Sequence, residues 1–397
     1  MCLIVFAENF AKIKLLIRKI RRMTVYFILG AFVIAGCVAE QLLPRVLPGK
    51  AARIINRAVL FFNAAALSAV SAMRLNTGYD YAPYMRMMIN AYDKTIGDPA
   101  LFRYERGYFL LNKFSSFFMR HPQIIMAVMS ILVSVLVCVA LLKMSPLPSM
   151  GFMMYYLFGY YFNSMNFHRN LLAALVILCA YGFLRKRSFV RYAALVLLAA
   201  SIHMSAFVML PMYFILKIKF NAIAFAIYGA LSAAFIYFCT PLMEYVTTYI
   251  YTAYNPATSP HMYMGIPAAY PLFLSVLFIV VFIYRKHLSH SGWNSVLISA
   301  AYLSFFFEFL GSRHSILGRF TMYFGIVTAC VTVPMLFGVL VKKISAALKE
   351  KKTLRAYAGH IVSLGAVFAS AAGFFVYAVL NNYNGVVPYN LTWSLFK

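Results

Sequence analysis

Helix-length apolar runs separated by short polar connections make up most of this chain. Crossing a hydrocarbon core of ~30 Å takes about 20 helical residues at ~1.5 Å each. Runs of this kind predict spans at residues 24–43, 56–73, 123–143, 147–164, 167–184, 221–239, 269–286, 293–311, 317–341 and 358–380. Segment 192–216 stands apart. It is apolar but for Ser201, His203 and Ser205 at its middle, and Pro211 follows. Each half is too short to cross alone. Cations flank both ends, Arg185, Lys186, Arg187 and Arg191 before and Lys217 and Lys219 after. It is therefore either a hairpin that enters and leaves by one face, with His203 at its tip, or one long tilted span with an internal histidine. In both cases polar groups at that depth must face protein or a water-filled cavity. The expected fold class is an all-α polytopic integral membrane protein, with about ten transmembrane helices plus a broken or re-entrant hairpin at 192–216.

Composition agrees. Of 397 residues, 63% are hydrophobic and 11% charged, against about 25% charged in a soluble domain. The net charge of +27 does not point to nucleic acid, because the basic residues lie in short clusters between apolar runs. Such clusters mark cytoplasmic loops facing anionic lipid. They place the connections holding Arg45 to Arg57, Lys143, Arg185 to Arg191, Lys217 and Lys219, Arg285 and Lys286, and Lys342 to Arg355 in the cytoplasm. The long loops 74–122 and 240–268 then lie on the outer face, as do Met23 and the C-terminus. The cations of residues 1–22 oppose this orientation, which favours a biological start at Met23. Residues 1–22 are a basic segment that either lies on a membrane surface, is a signal-like prefix or, as favoured, stands outside the native chain, and 23–397 is read as one membrane domain. The sequence contains no phosphate-binding glycine loop of the nucleotide-binding kinds. Its six cysteines are scattered, and its outer carboxylates lack metal-ligand spacing. Neither nucleotide, metal nor other cofactor is expected.

Loop 74–122 carries two clusters, Gly78-Tyr79-Asp80-Tyr81-Ala82-Pro83-Tyr84 and Tyr104-Glu105-Arg106-Gly107-Tyr108, the second followed by Asn112. Carboxylates among aromatic rings suit sugar recognition, since rings stack on pyranose faces and carboxylates accept hydroxyl hydrogens. Asp80 or Glu105 also suits a general base. The plainer alternative is a solvated loop whose charges pair. Arg106 is expected to pair with Glu105 and lower its pKa. Arg169 and Arg319 either bind phosphate bidentately or snorkel to headgroups. Glu308 is expected to pair with Arg313 or Arg319. His203 is either an acid–base group or a neutral buried histidine bonded to Ser201 or Ser205.

Taken together these motifs resemble the EpsG family of exopolysaccharide-synthesis proteins, which are Wzy-like polysaccharide polymerases. The matching positions are Gly78, Asp80, Tyr81 and Tyr84; Glu105, Gly107, Tyr108 and Asn112; Arg169; His203, Ser205 and Ala206; Arg319 before Tyr323 and Phe324; and Val387, Pro388 and Tyr389. Asn170 stands where the family tends to have glutamine. The resemblance implies a glycosyltransferase that joins repeat units carried on undecaprenyl pyrophosphate at the outer face of a bacterial cytoplasmic membrane, as in capsule or O-antigen synthesis. It implies catalytic roles for Asp80, Glu105 and His203, and substrate binding by Arg169, Arg319, Tyr81, Tyr84, Tyr108, Asn112 and Asn170. Its expected partners are the lipid-linked oligosaccharide, the bilayer, and chain-length and export proteins. A flippase for the same lipid-linked sugars, or a polysaccharide O-acyltransferase, are the alternatives.

Overall fold

The computed structural model describes residues 2–95, 98, 105–250, 269–288 and 293–390, and the regular elements among them are helices. The first two crossings are α1 (Cys2–Val46) and α2 (Gly49–Ala72). Two short helices follow, α3 (Tyr81–Ala91) and α4 (Arg106–Phe118). The chain crosses again through α5 (Ile124–Met144), the pair α6 (Pro148–Leu157) and α7 (Tyr160–Asn166), and α8 (His168–Arg185). Then come α9 (Phe189–Ile202) and α10 (Met209–Ile215), and after them α11 (Ala222–Tyr245), α12 (Ala269–Ile283) and α13 (Trp293–Gly311). The last crossings are the composite α14 (Ser315–Gly318), α15 (Thr321–Val327) and α16 (Val333–Lys349), and then α17 (Leu354–Leu380). Among the described residues, seven segments are long and apolar enough to cross a membrane by themselves.

Helix α8 is the axis of the bundle. Leu171, Leu175, Ile177, Leu178 and Tyr181 are all fully buried, so its whole circumference is covered. A helix that is apolar all round must be surrounded by protein or lipid, and α5, α9 and α15 pack against this one. Helices α11 and α17 are peripheral and present Ile223, Leu231, Phe238 and Val362 outward, as lipid-facing helices do.

Segment 192–216 is a hairpin and not a single span. Phe189, at the start of α9, packs its ring 5.0 Å from Tyr213 and 5.5 Å from Phe214, at the end of α10. Tyr192 donates to the Met209 carbonyl at 2.5 Å. The two legs therefore run antiparallel. Each is shorter than the ~20 residues a crossing requires. His203, in extended conformation, ends α9, and a tight 3₁₀ turn over Met204–Val208 leads into the return leg.

Four expectations change. Span 147–164 bends at Gly159, between α6 and α7. Span 317–341 is broken between α14 and α15 and again by a π turn at Thr328–Thr332. Pro334 follows that turn and has no N–H for the carbonyl four residues back, which favours a wider turn there. Stretch 74–122 is not a loop throughout. Tyr81, Tyr84, Met88 and Ala91 of α3, and Tyr108, Asn112 and Ser115 of α4, are buried at helical spacing. The opposite face of α4 exposes Phe114, Phe117 and Phe118, the pattern of a helix lying in a membrane interface. In loop 240–268, α11 continues to Tyr245 and a π turn over Val246–Ile250. Residues 251–268, with His261, and Tyr104 lie outside the described residues.

After α17 the chain doubles back across the 74–80 stretch. Leu75 donates to the Asn390 carbonyl at 2.8 Å and Gly78 to that of Gly385 at 2.9 Å. This strap fixes the segment that carries Asp80.

Candidate active site

The N-terminus of α4 is pressed against the hairpin tip. A Cβ on Gly107 would stand 2.3 Å from Ser201 Oγ and 2.7 Å from its carbonyl oxygen, so only glycine permits the approach. One residue before α4, Glu105 reaches across the junction. Its Oε2 accepts from Arg169 Nη1 at 2.6 Å. Its Oε1 lies 3.1 Å from His203 Nδ1 and 3.4 Å from the Met204 amide nitrogen. The three side chains are 15%, 19% and 16% exposed in the order Glu105, Arg169, His203. Burial works to raise the Glu105 pKa, but the His203 hydrogen bond and the Arg169 charge outweigh it and hold the carboxyl at about 2. The lowering expected from Arg106 therefore has other causes, and Arg106 points outward.

Arg169 opens α8 and rests on a bed of rings. Its guanidinium carbon is 5.7 Å from the Tyr84 centroid and 5.3 Å from that of Tyr108. Beneath them His168 stacks on Tyr84 at 3.5 Å and lies 2.9 Å from Tyr108 Oη through Nε2. Burial pushes Tyr84 up to about 12 and Tyr108 further still, so both rings are neutral. They support the guanidinium by cation–π attraction. Both are buried, leaving little face open to a sugar. Tyr79 of the same motif is 70% exposed, with its ring lying against Gly385.

Asp80 is placed by a chain of amides. Its backbone N–H donates to Asn166 Oδ1 at 2.9 Å, Asn166 Nδ2 to Asn384 Oδ1 at 3.2 Å, and Asn384 Nδ2 to Asn163 Oδ1 at 2.6 Å. Gly78, at φ +97°, makes the turn into this position, and a Cβ there would meet the Met165 carbonyl oxygen at 2.6 Å. Burial raises the Asp80 pKa, and the nearby charges of Arg319 and Arg169 pull against that rise.

Arg319 sits where two cavities meet. Its guanidinium carbon is 5.1 Å from the Phe167 centroid, and its carbonyl accepts from Asn170 Nδ2 at 3.3 Å. The amide at position 170 thus keeps a hydrogen-bonding role in its shorter form. One cavity, about 140 Å³, also has Glu308, Asn163 and Asn384 in its wall. The other, about 210 Å³, has His203, Ser205 and Thr247. Ser205 Oγ is 2.7 Å from Tyr323 Oη.

Asp80, Glu105, His203, Arg169, Arg319, Tyr84, Tyr108 and Asn170 thus form one neighbourhood. Tyr81 and Asn112 do not reach the cavities. The Tyr81 hydroxyl donates to Gln123 Oε1, and Asn112 Nδ2 donates to the Tyr108 carbonyl at 2.8 Å. Among the described residues no ion pair joins Glu308 to Arg313 or Arg319. It lines the smaller cavity instead. His203 is bonded to neither Ser201 nor Ser205 but to Glu105. The sequence reading did not single out His168, Tyr79, or the asparagines at 163, 166 and 384. Asn166 and His168 lie within three residues of Arg169, and that closeness is the signal by which they could have been found.

Chemically, an ionised Glu105 fixes the proton of His203 on Nδ1 and leaves the Nε2 lone pair free. Two guanidinium groups nearby suit a phosphate-bearing ligand. Fold and site together define a multi-pass membrane protein with a carboxylate–imidazole–guanidinium cluster at a re-entrant tip. Residues 57–391 match the EpsG family, and the chain belongs to it. That membership fits a polysaccharide-polymerase-like role. No curated protein and no solved structure matches the chain.

Proposed function

We propose that this protein is a membrane glycosyltransferase that joins oligosaccharide repeat units carried on undecaprenyl pyrophosphate. The bias of basic residues toward the other set of connections supports a site on the outer face of a bacterial cytoplasmic membrane. The observation that carries the reading is Glu105 bridging His203 and Arg169, at 3.1 and 2.6 Å. It sets an anion-binding group beside a base, His203, that lines a cavity together with Arg319.

In the reaction an acceptor hydroxyl oxygen attacks the anomeric carbon of the donor chain. The bond from that carbon to the pyrophosphate oxygen breaks. His203 Nε2 takes the hydroxyl proton, and Glu105 stabilises the resulting imidazolium. Arg169 and Arg319 offset the charge that develops on the departing pyrophosphate. Glu105 itself is a poor base, because its oxygens are committed and its pKa is about 2. In the smaller cavity Asn163, Asn384 and Glu308 offer hydrogen bonds to sugar hydroxyls. One observation favours a second reading of the base. Burial raises the Asp80 carboxyl pKa and makes it more basic than an ordinary aspartate.

Membranes carrying His203→Gln or Asp80→Asn, supplied with lipid-linked repeat units, test this. Loss of polymer in both with slow residual turnover only in Asp80→Asn fits His203 as the base. The reverse pattern assigns the base to Asp80. Single lipid-linked units should accumulate on the outer face. Accumulation on the inner face would identify a flippase, and normal polymer lacking acyl groups an acyltransferase. Full-length polymer from both variants would sink the assignment.

A further inference from the structure

Helix α8 begins at the site just described and ends, about 25 Å away at ~1.5 Å per residue, at a second cavity. It measures about 750 Å³ and lies among α5, α8, α9 and α13. Phe183, Leu195 and Trp293 line it, while Lys143, Arg185 and Lys186 stand around it and are exposed. Among the described residues no carboxylate forms an ion pair with any of these three cations. Apolar walls give water few partners, so a space this large between spanning helices calls for an apolar occupant. Cations around it call for an anionic end on the same molecule. We infer that this cavity is a binding site for an anionic glycerophospholipid, with an acyl chain inside and the phosphodiester on Lys143, Arg185 and Lys186. Basic pockets between membrane helices recognise such headgroups.

Gly182 allows a test that leaves the charges alone. It borders the cavity, and a Cβ at this position would meet nothing within 4 Å. Gly182→Leu therefore fills the space, and leucine is the better helix former. Lys143→Gln removes one headgroup contact. The purified full-length protein in mild detergent would be titrated with phosphatidylglycerol and with phosphatidylcholine of the same chains. Binding is followed by native mass spectrometry and by the rise in melting temperature. The wild type should bind phosphatidylglycerol at least tenfold more tightly than phosphatidylcholine, and each variant should lose about tenfold or more of that affinity. Gly182→Leu should keep the lipid-free melting temperature, which separates cavity filling from misfolding. Equal binding of the two lipids, or undiminished binding by Gly182→Leu, overturns the inference. Displacement of bound lipid by glycerol phosphate alone also overturns it, since the site would then recognise a free phosphate. None of these readouts depends on glycosyl transfer.

Discussion

Glu105 and His203 are 98 positions apart in the chain and 3.1 Å apart in space. The contact exists because a hairpin tip and the start of a short amphipathic helix share one junction. The carboxylate does two things at once, since it orients the imidazole and holds Arg169. Glu105→Gln keeps the shape of the side chain but removes its charge. We expect polymer formation to fall by about 10²-fold or more, the lower end of what positioned acid–base groups contribute. The check is product length on gels from membranes matched for protein content.

The same pair gives a pH signature. The Glu105 pKa falls from 4.5 to about 2 on folding. A depressed carboxyl adds stability that is complete above its unfolded pKa and is lost as pH falls through the folded one. Wild type should therefore lose about 3 kcal/mol between pH 5 and pH 2 that Glu105→Gln does not lose. Denaturant titration in detergent across that range would measure the difference, and parallel curves would count against the ion pair.

Asp80 should behave in the opposite sense. Burial raises its pKa, so its contribution to stability is complete below the ordinary value near 3.8 and is lost as pH rises through the folded value. Asp80→Asn should then match wild type in stability at pH 3.5 and equal or exceed it at pH 7, while polymer disappears. Melting temperatures at the two pH values decide this. A variant much less stable at pH 7 would show that the carboxylate serves the fold.

Gly107→Ala places a methyl group 2.7 Å from the Ser201 carbonyl oxygen. Backbone cannot move aside as a flexible side chain can, so α4 should shift from the hairpin and Glu105 should leave His203. We expect loss of polymer of about tenfold or more with normal insertion, consistent with the cost of misplacing a catalytic group by ~1 Å. Retention of wild-type polymer length would show that the junction tolerates the shift.

Tyr108→Phe should act through support and not through contact with sugar. The ring is buried under Arg169, and its hydroxyl is the partner of His168 Nε2. Removing that hydroxyl leaves a buried imidazole nitrogen unsatisfied, at a cost of about 1–3 kcal/mol. Thermal unfolding should register the loss. The apparent affinity for lipid-linked substrate should change little. A large change in affinity with unchanged stability would return Tyr108 to the binding surface.

The order of crossings and the break at His203 were legible in the sequence. The reasons are local. Apolar run length is dictated by membrane thickness, and a polar residue within such a run has few options. Helices α3 and α4 were also encoded, in the spacing of Tyr81, Tyr84 and Met88 and of Tyr108, Asn112 and Ser115, although the surrounding polar residues obscured them. Tertiary structure alone decided the partners. No offset in the chain relates Glu105 to His203, Asp80 to Asn166, or Ser205 to Tyr323. Those contacts follow from how helices pack and how the C-terminal strap crosses the 74–80 stretch. Whether a tyrosine stays exposed, like Tyr79, or cushions a guanidinium, like Tyr84, depends on which face burial leaves open. Sequence supplies the ring, and packing supplies its neighbour.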